Sequence, residues 1–159
     1  MNQTDRTVYL TEEGLKKLEE ELTYLINVRR PEVAKQIAEA KAEGDLRENA
    51  GYDEAKNAQA FMEGRIRDLE NKLKYAKLID GSAGPSDQVA LGRKVIVKEV
   101  GTNFEETYVL VGSSEADPAN GRISNESPVG RALLGRKVKD IVEVTSPGGV
   151  IKFSIVAID

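Results

Sequence analysis

The chain has 159 residues, enough for one ordinary domain or two small ones, with 5% aromatic residues and no tryptophan. Histidine and cysteine are both absent, which excludes a Ser/His or Cys/His nucleophile, a thiolate zinc site, a disulfide framework and an imidazole proton shuttle. A net charge of −4 and a pI near 5.1 exclude bulk attraction to nucleic acid, so an RNA contact would need a local basic patch or a protein that brings the RNA close.

No secretory signal pattern opens the chain, and no apolar run approaches the roughly 20 residues that span a bilayer, so a soluble, cytoplasmic protein without membrane contact is expected. From Thr11 to about Ala42 apolar residues recur at helical spacing, first Leu15, Leu18, Leu22 and Leu25, then Val33, Ile37 and Ala40. Thr11 suits an N-cap, with Glu12 and Glu13 in the first turn where the helix dipole favours negative charge. Pro31 removes one backbone donor from the run, which predicts a kink or a shifted stripe.

A second helix is expected from about Glu48 to Leu78, where Met62, Ile66, Leu69, Leu73 and Ala76 alternate steps of four and three, the heptad seam of a coiled coil. Only a few residues around Gly44 join the two stretches, and so short a connection returns the second helix antiparallel to the first. The segment from Asp80 to Ser86 is small, polar and aperiodic, which predicts a helical-hairpin domain over 1–79, a linker over 80–88 and a second domain over 89–159.

In that second domain, Lys94 to Val100, Thr107 to Val111, Ile141 to Thr145 and Val150 to Ile158 read as strands, with Pro147-Gly148-Gly149 as the turn between the last two. Ser127 and Pro128 read as the N-cap and first residue of one short helix. The fold class is therefore α+β: an antiparallel helical hairpin followed by a small antiparallel sheet with one short helix.

Asp45 and Glu48 stand three positions apart where the hairpin reverses, and a helical turn there would point both carboxylates the same way. Two readings stand side by side. Such a pair suits a hard cation such as magnesium, with the remaining ligands supplied from elsewhere. It equally suits the capping of a helix N-terminus.

The segment Gly44-Asp45-Leu46-Arg47-Glu48-Asn49-Ala50, with Tyr52, Ala55-Lys56 and Glu63-Gly64-Arg65-Ile66, resembles the coiled-coil signature of the GreA/GreB family of bacterial transcript-cleavage factors. Val28-Arg29-Arg30-Pro31-Glu32 upstream, and Gly121-Arg122-Ile123-Ser124, Ser127-Pro128 and Thr145-Ser146-Pro147-Gly148-Gly149 downstream, resemble the family in the same order. The resemblance implies that the hairpin enters the secondary channel of a backtracked bacterial RNA polymerase. There Asp45 and Glu48, by motif position, would help hold the second catalytic Mg²⁺ and orient a water that cuts the RNA 3′ end. It implies no cofactor of the protein's own, only Mg²⁺ shared with the polymerase, and no enzyme activity in isolation. It further implies an FKBP-like second domain docking on the channel rim, and a protein working as a monomer.

Lys41 and Lys56, one on each arm, match positions that are basic in the family and contact RNA; solvated lysines paired with a nearby Glu would look the same. So small a patch resembles the GreA type more than the GreB type. Tyr52 could stack on a base or pack beneath the turn. Ser127 matches a family serine near the polymerase and is equally explained by capping. Gly51 stands where the family often has an acid and should weaken the start of its helix, by up to about 1 kcal/mol. Arg47, where the family tolerates lysine or serine, could neutralise the acids or reach a phosphate.

Three further readings compete. A channel-plugging inhibitor, as some family paralogues are, would keep the hairpin but reverse its effect. A prolyl isomerase would need an aromatic-lined pocket, for which the second half offers Phe104, Tyr108 and Phe153. A coiled-coil adaptor would leave Asp45 and Glu48 without a role.

Overall fold

The computed structural model describes residues 7–45, 47–81 and 84–159; the first six residues, Leu46 of the turn motif, and Ser82 and Ala83 of the expected linker lie outside the described residues. The chain forms two compact units. Residues 15–75 make one, and the segment ending at Gly14 joins 76–159 in the other.

The helical unit is built by the periodic apolar residues. Helix α1 (Glu12–Tyr24) starts at Thr11, whose Oγ1 accepts the Gly14 N–H at 3.0 Å. Helix α2 (Arg30–Ala42) carries the run on, but between them Leu25–Arg29 form a π-helical turn in which the Arg30 N–H reaches back five residues to the Leu25 carbonyl. Pro31 is the cause: it has no N–H to give to the preceding turn, and its ring displaces the carbonyl four residues back. The wide turn shifts the stripe, so that Leu22 before it, Leu25 and Ile26 within it and Ile37 after it pack on the same buried cluster of Val33, Met62 and Ile66.

Helix α3 spans Ala50–Lys74, shorter at both ends than its periodicity predicts. At its start Asn49 is the N-cap, its side chain accepting from the Tyr52 N–H. At its end the Tyr75 N–H closes onto the Asn71 and Leu73 carbonyls, and Ala76 to Leu78 leave the helix as a strand. The physical reason is competition for backbone bonds. Strand β2 (Ala76–Leu78) pairs in parallel with β1 (Val8–Leu10), and the Ile79 N–H donates to the Leu10 carbonyl at 2.7 Å. Leu10 is fully buried, and a Cβ at Gly112 would lie 2.0 Å from the Tyr9 carbonyl oxygen. These contacts carry the N-terminal segment into the unit made by the second half of the chain.

That unit holds a five-stranded sheet in the order β5-β4-β3-β7-β6, with β3 Lys94–Glu99, β4 Glu105–Val111, β5 Arg122–Ser124, β6 Ile141–Ser146 and β7 Gly149–Ile158. Alternate residues Val95, Val97, Val142, Val144, Phe153 and Ile155 form one buried cluster with Leu110, and Leu133 of helix α4 (Pro128–Leu133) joins it. The sheet is mixed: β5 pairs parallel to β4, although the β-branched runs alone suggest antiparallel pairing throughout. The ten residues between β4 and β5 carry the chain back so that Arg122 starts opposite Val109, instead of reversing in a tight hairpin. Ser127 caps α4 through the Gly130 N–H at 3.0 Å, and Gly130 is required because a Cβ there would lie 2.0 Å from the Ser124 carbonyl oxygen.

The segment after Ile79 is tied down by one buried cation. Arg93, 6% exposed, donates to the carbonyls of Gly81, Gly84, Pro85 and Gln88. A polar stretch without periodicity is thereby wrapped around a guanidinium, whose five donors suit several acceptors at once.

Candidate functional site at the hairpin turn

The turn connecting α2 and α3 is held from both sides. The Asn49 side-chain amide donates to the Ala40 carbonyl at 2.6 Å while its oxygen caps α3 at 3.1 Å, so one residue ties the end of the first arm to the start of the second. Farther along, two arginine forks cross between the arms. Arg30 grips Glu63 at 2.9 and 3.0 Å, and Arg65 grips Glu21 at 2.6 and 2.7 Å. Partner numbers rise on one arm as they fall on the other, which makes the arms antiparallel.

Within the turn, Gly44 adopts a φ of 132°, a region that favours glycine, and lets the chain leave α2. Asp45 Oδ1 accepts the Arg47 N–H at 2.9 Å, a bond that braces the turn two residues on. Residues 45 and 47–49 are not helical, so the condition on which the two carboxylates would share a helix face is not met. Neither acid caps α3, since Asn49 does. Asp45, Arg47 and Glu48 are all exposed, and among the described residues their side chains form no ion pair with one another.

Lys41 is exposed in the last turn of α2, and Lys56 is exposed on α3, where its Nζ donates to Gln59 at 2.8 Å. Each stands on its own arm beside the turn. Tyr52 is half-buried, and its backbone N–H belongs to the cap. Sequence reasoning missed Asn49. An Asn directly before the helical run is an N-cap signal, and the neighbouring acids drew attention away from it.

Several charges along the arms are paired internally. The Arg65 guanidinium bonded to Glu21 holds that carboxyl below its ordinary range, and Arg30 does the same for Glu63. Among the described residues no group of three or more Asp, Glu, His or Cys side chains gathers to hold a metal ion. The acids of the turn offer hard oxygen donors but less than a full coordination sphere. In the other unit, Phe153 lies in the core while Phe104 is 63% exposed, so the aromatic rings do not share one environment.

The model of the N-terminal region of transcription elongation factors matches residues 8–78, and that of the GreA/GreB C-terminal region matches residues 84–159. The chain belongs to the GreA/GreB family of transcription elongation factors. It is 57% identical to transcription elongation factor GreA of Thermoanaerobacter pseudethanolicus over 96% of this chain and 98% of the relative. It is 56% identical to the factor of the same name in Acetivibrio thermocellus, over 98% of each. Among solved structures, the GreA factor homolog Gfh1 of Thermus thermophilus is 30% identical, covering 97% of this chain and 99% of the other with a TM-score of 0.44.

Proposed function

We propose that this family member stimulates transcript cleavage by bacterial RNA polymerase, lending Asp45 and Glu48 to the polymerase's active centre through its secondary channel and having no nuclease activity alone. The observation that carries the reading is the unspent charge of the turn. On the arms Glu21 is paired with Arg65 and Glu63 with Arg30, whereas at the turn Asp45 and Glu48 face solvent with their carboxylates open apart from one Asp45 oxygen. Acids held on a braced turn and not neutralised are suited to complete a site that belongs to another molecule.

The donor set fits Mg²⁺, which is commonly bound by one or two carboxylates together with phosphates and water. When bound there, Mg²⁺ would supply Lewis-acid stabilisation of the charge that develops on the phosphoryl oxygens. The chain's own part is to present the carboxylates. The Arg47 N–H fixes one oxygen of the exposed Asp45, leaving the other without a hydrogen bond among the described residues, and Asn49 fixes the turn between the arms. In the reaction a water oxygen bonds to phosphorus, the P–O3′ bond breaks and the 3′ oxygen leaves with a proton. The transcript then ends in a 3′-hydroxyl that can be extended again.

Lys41 and Lys56 flank the path an RNA end would take along the arms, each able to meet one phosphate. The protein acts in the cytoplasm as a monomer, and among the described residues no helix is long and apolar enough to cross a membrane. In backtracked complexes with labelled RNA, the variant Asp45→Ala/Glu48→Ala is expected to bind polymerase as wild type does while losing at least about 100-fold of the stimulated cleavage rate. Full cleavage by that variant would remove the acids from the mechanism.

A further inference from the structure

We infer that Arg47 is a substrate-contacting residue of the turn, its guanidinium taking a backbone phosphate of the RNA beside the two acids. The inference rests on the proposed cleavage reading and names a further contact within the same site. Sequence left two uses for Arg47, neutralising the acids or reaching a phosphate. The structure separates them. Asp45 and Glu48 lie two residues before and one residue after it, yet its guanidinium forms no ion pair or hydrogen bond among the described residues.

Most other arginines among the described residues are engaged, although Arg131 and Arg136, exposed in the other unit, also form no ion pair there. Arg30 holds Glu63, Arg65 holds Glu21 and Asp68, Arg122 holds Glu115, and Arg93 is enclosed by four backbone carbonyls. Arg47 is also not left to wander at its root, because its own N–H is fixed on Asp45 Oδ1 at 2.9 Å. A braced backbone carrying a free fork is a pre-organised donor, and a planar fork matches two oxygens of one phosphate.

Electrostatics call for such a group. Between Lys41 and Lys56 the chain carries Glu43, Asp45, Glu48, Asp53 and Glu54 against Lys41, Arg47 and Lys56, so an arriving RNA meets a net negative turn. Lys41 and Lys56 stand on the arms, and Lys56 is already bonded to Gln59. Arg47 is the cation set between the two acids. There its guanidinium offsets repulsion of a phosphate, and of the carboxylate oxygens only Asp45 Oδ1 is engaged, by the Arg47 backbone N–H.

The test uses the full-length protein, polymerase and backtracked complexes whose RNA carries single charge-neutral methylphosphonates, placed in turn at the non-scissile linkages of the extruded 3′ segment. Wild type, Arg47→Ala, Arg47→Lys and Asp45→Ala/Glu48→Ala are compared for maximal single-turnover rate and half-saturating concentration, with melting temperature as a check on folding. Arg47→Ala is expected to lower the maximal rate about tenfold, with unchanged melting, and Arg47→Lys to recover part of it. One methylphosphonate position should slow wild type by a similar factor and leave Arg47→Ala unaffected. Undiminished cleavage by Arg47→Ala, or losses from the variant and every methylphosphonate that simply multiply, would overturn the phosphate contact while leaving the role of the acids intact. Absence of stimulation by wild type itself would instead mark failure of the cleavage reading.

Discussion

Glu21 shows how residue-level charge is used on the arms. Bonding to Arg65 lowers its pKa in the folded chain, so the pair contributes stability that is present above the ordinary glutamate range, about 4.3, and is lost as pH falls through the lower folded value. Side chains of the pair are 39% and 42% exposed, and solvent screening keeps that contribution small. Glu21→Gln is accordingly expected to flatten the acid limb of a urea-midpoint profile measured between about pH 3 and pH 7, with the difference shrinking in about 1 M salt. An unchanged acid limb would show that the fork adds nothing. Arg93 was not visible as a structural residue, since nothing in an isolated arginine announces that four carbonyls from 81–88 will close around it.

At the scale of elements, the apolar periodicity was legible because each helix buries one face. Met62, Ile66 and Leu69 are buried as the heptad predicts. Element ends were less legible, because caps and strand pairing decide them rather than periodicity. Residues 76–78 continue the stripe of α3 yet become β2, since their partner Val8–Leu10 lies far back in the chain and three-residue strands leave little pattern. The π turn is foreseen only as a disturbance at Pro31. Asn49 acts on both arms, so Asn49→Ala is expected to cost about 1–2 kcal/mol and to quicken amide exchange over residues 50–53 while exchange over 141–158 stays as in wild type. Equal exchange in both proteins would mean that the cap does not hold the turn.

For the whole molecule, two units with separate hydrophobic clusters serve one family-level role, and most of the assignment was carried by motifs spread along the chain. What sequence offered at the turn was chemistry without geometry: two acids and one arginine in a row. The structure removed the shared helix face and the capping role for the acids, and kept the exposure of all three charges. The central claim is therefore about the direction of the effect on polymerase. The most direct measurement follows 5′-labelled RNA in stalled, backtracked bacterial polymerase after wild-type protein and Mg²⁺ are added. Faster shortening of the transcript from its 3′ end, followed by resumed extension once nucleotides are supplied, is the predicted result. Slower cleavage together with slower elongation would contradict it and make the protein a channel-blocking inhibitor.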